Sequence, residues 1–346
     1  MELGITTFAE VMPNPVTKEA SVSYDERIRQ VVEEIVLAEK VGLDYFGIGE
    51  HHREDFAASA PHMILAAAAP LTKKIKLGSA VTVLSSDDPV RVYQNFATLN
   101  ALSNGRAEIM AGRGSFIESF PLFGYDLKDY DALFAEKLDL LVNIRDNERV
   151  NHQGTHRKSI SNLGVYPRTS DFLPISVAVG GTPASVKRAA RLGLPLFLAI
   201  IGGNPLQFKP LIELYKRDYL AHNHPIENMF ISIHSHGYVG DNLEETIHEY
   251  FPSIEQAMTK IGRERGWGPY TKDTYQHALS MDGALYVGDP NYVAKKIIYL
   301  LKNMPVNRFA MHVPVGAMDH DKVKKSIQLF GEKVKPMVIE AMKKEA

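Results

Sequence analysis

A TIM (β/α)8 barrel is the architecture this sequence predicts, and three observations predict it. Short apolar, strand-type runs alternate with segments of helical periodicity along most of the chain. The connections between them are short. The strand-type runs add up to eight. Such alternation implies a parallel sheet with helical crossovers, and an open doubly wound sheet is the competing arrangement.

The elements follow in order. Leu3–Phe8 reads as the first strand, followed by a polar loop carrying Pro13 and Pro15. In Tyr24–Val41, Ile28, Val31, Val32, Ile35, Leu37 and Ala38 recur at helical spacing, and Gly42 stands where a left-handed helix terminator is expected. Asp44–Gly49 is the second strand, Pro61–Ala69 an alanine-rich helix, and Ile75–Leu84 the third strand. Pro89 opens a helix to about Leu102, with Asp87 or Asp88 as its N-cap. After the Asn104-Gly105 turn, Arg106–Ala111 is the fourth strand and Tyr130–Arg145 its helix. Residues 147–172 interrupt the rhythm with polar, hairpin-like sequence. Pro174–Val179 and the helix Pro183–Leu192 resume it. Leu194–Ile200 is the sixth strand, with a helix from Pro205 to about Leu220; Met229–Val239 is the seventh, with a helix over Glu244–Arg263. Residues 264–283 form a second irregular excursion. Asp289-Pro290 starts a helix to Lys302, Arg308–Val313 is the eighth strand, and Asp319–Lys344 is a closing helix. One domain over residues 1–346, with insertions near 147–172 and 264–283, is the expected organisation.

Composition narrows the function. The chain has 346 residues, 45% hydrophobic and 23% charged, with a net charge of −2. That balance favours neither nucleic acid nor an anionic membrane. There is no cysteine, which removes disulfides, thiolate nucleophiles and Cys-ligated metals together. No apolar run approaches the ~18 residues of a membrane span. The N-terminus enters a strand directly, without a basic and apolar leader, so a cytoplasmic enzyme is expected.

Barrel active sites lie at the C-terminal strand ends. The second strand ends in Glu50-His51-His52. Neighbours on an extended segment face opposite ways, so one histidine faces the mouth. That disfavours a metal site, which needs convergent ligands, and favours one of the two as a base or hydrogen-bonding group. A histidine that only braces neighbouring loops is the structural alternative. The fifth strand ends in Gly180-Gly181-Thr182-Pro183-Ala184-Ser185. Two glycines admit a close ligand, Pro183 opens a helix, and free N–H groups with the Thr182 and Ser185 hydroxyls suit a phosphate; a plain capped turn is the alternative. Arg113, between Gly112 and Gly114, is a second phosphate contact, an aromatic stacker or a surface arginine. Neither Gly47-Ile48-Gly49 nor Gly112-Arg113-Gly114 completes a dinucleotide fingerprint, which excludes a Rossmann reading. His234 and His236 share one face of the seventh strand and are hydrogen-bonded, pocket-lining or, as the less favoured reading, metal-binding. Phe8, Phe116, Phe120 and Phe123 are candidates for an apolar wall. His222 and His224, in a surface loop, receive no role.

These segments together resemble the bacterial luciferase-like family of flavin-dependent monooxygenases, nearly end to end. The resemblance is carried by Ala38–Asp44 leading into Glu50-His51-His52, Leu77–Val81, Pro89-Val90-Arg91, Ser103–Arg106, Gly112–Ser115, Gly180–Ser185 and Gly193-Leu194-Pro195. It implies a TIM barrel binding FMN at its mouth, with reduced flavin and O2 oxygenating a small substrate such as an aldehyde. It implies His51 as the catalytic histidine and Glu50 beside it on the flavin's side. Ala80 and Val81 would lie against the flavin ring, Arg113 and Ser115 along the ribityl phosphate, and Gly180, Gly181, Thr182 and Ser185 in the phosphate turn. No metal is implied. A separate flavin reductase as the source of reduced FMN and a homodimer paired through helices beside the early strands are further implications; the apolar run Ile64–Ala69 suits such pairing and equally suits plain barrel packing. Gly112 stands where light-emitting members carry a reactive cysteine, which argues against light emission. An F420-dependent oxidoreductase on the same barrel and a non-catalytic flavin-binding protein are the alternatives.

Overall fold

The computed structural model describes residues 1–114 and 116–344. Eight parallel strands close a barrel: β1 (Glu2–Thr7), β2 (Tyr45–Ile48), β3 (Lys76–Ser79), β4 (Ala107–Gly112), β5 (Ile175–Val179), β6 (Leu196–Ala199), β7 (Ile231–Val239) and β8 (Arg308–His312). Each pairs with the next, and β8 returns to β1 through Glu2↔Arg308 to Thr6↔His312. The TIM barrel is therefore present, and the doubly wound alternative is excluded by that closing pair.

Local sequence explains where the elements start and stop. The first helix, Tyr24–Lys40, begins at Ser23, whose hydroxyl accepts from the Glu26 amide, and Gly42 follows it at φ +83°. Asp88, not Asp87, caps the helix Pro89–Leu102. The third strand-type run breaks in two: after Ser79 the Ala80–Val81 peptide is cis, and only Thr82–Val83 resumes as strand. Residues 149–164 form an antiparallel hairpin, as the polar interruption suggested. The second excursion is less irregular than expected, because Lys272–Leu279 is helical with Thr271 as cap. It leads to a short strand, Tyr286–Gly288, that pairs with Gly237–Val239 of β7 and was not foreseen. The closing helix runs in three pieces, with a π-helical turn at Phe330–Val334. Among the described residues no helix is long and apolar enough to cross a membrane.

The barrel interior is filled, as a packed core requires. Tyr45 lies across it, and a side chain on Gly47 or Gly78 would collide with its ring end at 2.6 Å. Ala80, Met110, Phe197 and Ala310 pack around Tyr45. Below this layer Arg308 donates to Glu2 and, through both terminal nitrogens, to Glu108 at 2.7 and 3.0 Å. Above it the interior opens towards the C-terminal strand ends.

Candidate active site

A cavity of about 350 Å³ occupies that open end. Glu50, His51, Ala80, Val81, Gly112, Arg113 and Gly180 line it, as do His234 and His236. Six of the ten residues singled out for catalysis or cofactor contact thus share one chamber. Gly181, Thr182 and Ser185 follow Gly180 in the turn at its edge, and Ser115 lies outside the described residues.

The second strand delivers His51 by its backbone, whose amide donates to Ala58 O at 2.9 Å. Its ring stands edge-on to Phe8 (4.4 Å) and Phe116 (5.2 Å) and stacks on Phe56 (4.4 Å). Neither ring nitrogen has a hydrogen-bond partner among the described residues, and neither is sealed from the cavity. Burial, reinforced by the neighbouring His312, His52 and Arg53, pushes its pKa down to about 3. His51 is thus a neutral imidazole in an aromatic box. His52 points the other way: its Nε2 meets Glu50 Oε1 at 2.8 Å, and its ring lines a second, polar cavity.

Glu50 is a brace between strands. While Oε1 meets His52, Oε2 accepts from the Val83 amide at 2.8 Å, and the Glu50 amide donates to Val81 O. It holds the cis Ala80–Val81 segment so that both residues face the cavity. Gly112 makes that possible, since a Cβ there would lie 2.6 Å from Val81 Cγ2. The position associated with a cysteine in light-emitting relatives therefore has no room for any side chain while Val81 keeps this place.

The fourth and fifth strand ends supply positive charge. Arg113 donates to Asp131 at 2.6 Å and lies over the Tyr130 ring. Gly180 faces open space, and Gly181 has φ +123°, a conformation glycine adopts without strain. The helix Pro183–Arg191 starts here, and Thr182 at its N-cap leaves its side chain unused for capping. Arg188, one turn beyond Ser185, carries a buried Nη1 with no hydrogen-bond partner among the described residues. Burial and the charge of nearby Arg113 lower its pKa. An orphaned guanidinium N–H, an open glycine turn and a free helix start fit a phosphate group. Sequence reasoning missed Arg188; its i+3 spacing from Ser185 was the available signal.

Opposite this end stands a histidine wall from β1, β7 and β8. Thr6 Oγ1 lies 3.1 Å from His234 Nδ1 and 3.2 Å from His312 Nδ1, and His312 Nε2 lies 2.9 Å from Glu10 Oε1. Burial drives the pKa of His234 well below the ordinary range and that of His236 down to about 3, each helped by His312. Among the described residues no group of three or more acidic or histidine side chains is arranged to hold a metal. Glu10, Thr6 and His312 were also missed, because nothing local marks them. Of the expected aromatic wall, Phe8 and Phe116 line the chamber and Phe56 joins them. Phe120 instead packs on Tyr130, and Phe123 borders the second cavity. Both lie in the loop beyond β4, whose course the sequence did not reveal.

Arg53 ties the rim together. It pairs with Asp55, with Glu118 beyond β4 and with Glu264 at the end of the helix Leu243–Arg265, and its guanidinium lies 4.4 Å from the Phe116 ring centre.

A parallel barrel with a dry, aromatic chamber at its C-terminal mouth and a cationic turn beside it is a TIM-barrel oxidoreductase scaffold. Residues 1–308 match the luciferase-like monooxygenase family, and the chain belongs to it. The chain is similar to the alkanal monooxygenase alpha chain of the Kryptophanaron alfredi symbiont, 28% identical over 59% of this chain and 57% of that one. It is likewise similar to the F420-dependent glucose-6-phosphate dehydrogenase of Amycolatopsis mediterranei, 30% identical over 48% of this chain and 51% of that one. Both matches thus span little more than half of the relative's length. Among solved structures, the oxygenating constituent of 3,6-diketocamphane monooxygenase from Pseudomonas putida, in complex with FMN, superposes with a TM-score of 0.75. It is 19% identical, with 97% of this chain and 98% of that one covered. The family contains flavin-dependent and F420-dependent members, so the class of enzyme is set more firmly than its cofactor.

Proposed function

We propose that this chain is an FMN-dependent monooxygenase that uses reduced flavin, supplied by a separate reductase, and O2 to oxygenate a small organic substrate. The observation that carries the reading is the cationic turn. Gly180, Gly181, Thr182, Ser185 and the unpaired Arg188 N–H would hold a phosphate, with Arg113 beside them. Two guanidinium groups and a helix start suit the nearly double charge of a phosphate monoester, such as that of FMN. A phosphodiester, as in F420, carries a single charge and asks for less.

Bound reduced flavin supplies the electrons that activate O2. The protein does the rest. Ala80 and Val81, fixed by Glu50 and admitted by Gly112, give the ring a flat apolar support. Phe8, Phe56 and Phe116 exclude water from the reacting centre. His51, kept neutral by burial, offers a ring nitrogen that holds or accepts a proton there.

Titration with FMN and, in parallel, F420 tests the cofactor; tight F420 binding without FMN binding would overturn the reading. His51→Ala should bind FMN within about twofold of wild type yet lose oxygenation by about 10²-fold or more, followed as O2 uptake with reduced FMN across an aldehyde and sulfonate panel. Unchanged turnover in that variant would remove His51 from the chemistry.

A further inference from the structure

The chemistry assigned so far leaves the histidine wall unused. Its hydrogen bonds have a direction that can be worked out. Glu10 accepts at both oxygens: Thr7 Oγ1 donates to Oε2 at 3.3 Å, Arg27 adds positive charge nearby, and Oε1 faces His312 Nε2 at 2.9 Å. His312 Nε2 therefore carries the hydrogen, and in the neutral ring Nδ1 is a bare acceptor. Thr6 has one hydroxyl proton and must give it to His312 Nδ1. Its oxygen then accepts from His234 Nδ1–H. The chain of bonds leaves His234 Nε2 bare. Among the described residues that nitrogen has no protein partner, and it belongs to a ring lining the cavity. The other neighbours of the ring are Phe8, Phe197 and His236, none of which carries a fixed charge.

A solitary buried histidine is a poor base, since it would have to hold a charge away from water. Here the charge need not stay. A proton arriving at His234 Nε2 can be matched by transfer of the Nδ1 proton to Thr6 Oγ1 and of the Thr6 hydroxyl proton to His312 Nδ1. His234 ends neutral in its other tautomer, and His312 becomes an imidazolium beside the Glu10 carboxylate. No proton is gained or lost overall; the ligand is left as an anion facing the new His234 Nε2–H.

We propose that Glu10, His312, Thr6 and His234 form a proton relay that deprotonates an acidic hydroxyl, phenolic or enolic, on the substrate held in this cavity. His234 touches the ligand; Thr6, His312 and Glu10 are positioning residues that act through it. The surrounding Phe8, Phe56, Phe116 and Trp267 supply stacking faces for a planar, unsaturated body. The proposal rests on this chamber being the substrate site, as read above, but its tests need no flavin.

Nitrogen-15 NMR of the histidine rings in the full chain reads the tautomer directly. His234 should show a protonated Nδ1 and a bare Nε2, and Thr6→Val should abolish that preference. A wild-type His234 protonated at Nε2 would overturn the relay. Binding of 4-nitrophenol, below the pH at which it ionises in water, gives the second reading. Wild type should show the phenolate band, while Thr6→Val and Glu10→Gln, checked for native near-UV circular dichroism, should bind the same probe as the neutral phenol. A phenolate band that persists in both variants, or a wild-type chain that takes up no probe, would also overturn it. FMN titration of the same variants keeps the two readings apart: failure of flavin to bind touches the cofactor assignment and leaves the phenolate result standing.

Discussion

The two ends of the barrel bury polar groups in opposite ways. At the N-terminal end Arg308 sits between Glu2 and Glu108, with its guanidinium 4.2 Å from the Tyr45 ring centre, and Lys76 adds a further pair to Glu2. Every charge there has a partner of opposite sign. At the C-terminal end, among the described residues, His51 and His236 carry ring nitrogens with no protein partner, Arg188 has an unpaired N–H, and burial keeps those two rings neutral. The first arrangement is closed and has nothing to offer a ligand. The second leaves donors and acceptors open at some expense of stability, which is what a binding site requires. In barrels, stability and function divide between the faces in this sense.

The comparison breaks first at Arg308. If the lower cluster is purely structural, Arg308→Ala should leave Glu2 and Glu108 facing each other in the interior and cost about 3–5 kcal/mol of unfolding free energy. Urea unfolding measures it, and FMN affinity should stay unchanged in conditions where the variant is folded. A loss below about 1 kcal/mol would mean water reaches the pair and the end is not closed. Arg188 probes the opposite end. Arg188→Met should hold or improve stability, because it removes an orphaned buried donor. It should weaken FMN by about tenfold or more, the value of a charge-assisted hydrogen bond, and leave riboflavin unaffected because that molecule has no phosphate. Equal weakening of both ligands would place Arg188 away from the phosphate.

The sequence revealed the two ends unequally. Barrel strands announce themselves by apolar runs of the right length, and helix starts by Asp88 and Asp289, both of which cap as their residue types suggest. The strand ends carrying Glu50-His51, Gly112-Arg113 and Gly180-Gly181 were legible because each sets unusual residues at one place in the chain. Of the histidine wall only His234 and His236 were, as neighbours on one strand face. Thr6 and His312 are 306 residues apart and meet only when β8 closes onto β1, and Glu10 joins them from the loop after β1. Such a cluster has no local spacing to read. The cis peptide at Ala80–Val81 was hidden for a different reason: the run Ile75–Leu84 has the pattern of one strand, and nothing in it marks the break across which Glu50 accepts from the Val83 amide. Phe120 and Phe123 misled because aromatic residues near a strand end pack on either side of it equally well.

The smallest expected effect sharpens the comparison most, because it separates the two ends by pH. His51 and His236 have folded-state pKa values of about 3 against an ordinary 6.5. A depressed folded value means that the unfolded chain binds protons first as pH falls. The stability associated with these rings is complete above about pH 6.5 and is lost progressively below it, by up to about 1.4 kcal/mol per pH unit for each histidine. The lower cluster behaves differently. Glu2 is held below its ordinary 4.5, against its own burial, by Arg308 and Lys76, so its contribution is intact down to that value and is lost only in more acid solution. Between about pH 6.5 and about pH 5 the Glu2 cluster stays silent while the buried histidines weaken the fold, opposed in part by Asp87, whose burial raises its pKa to about 6. Unfolding free energies measured by urea across that window should fall for wild type, and His236→Gln should flatten the slope by up to about 1.4 kcal/mol per pH unit. Arg308→Ala should lower the curve most at neutral pH and less towards about pH 5, because Glu2 and Glu108 left without their cation take up protons as the solution becomes more acid. A His236→Gln curve with the same slope as wild type would show that water enters the chamber far enough to hydrate the imidazolium form, and the dry site inferred for oxygenation would go with it.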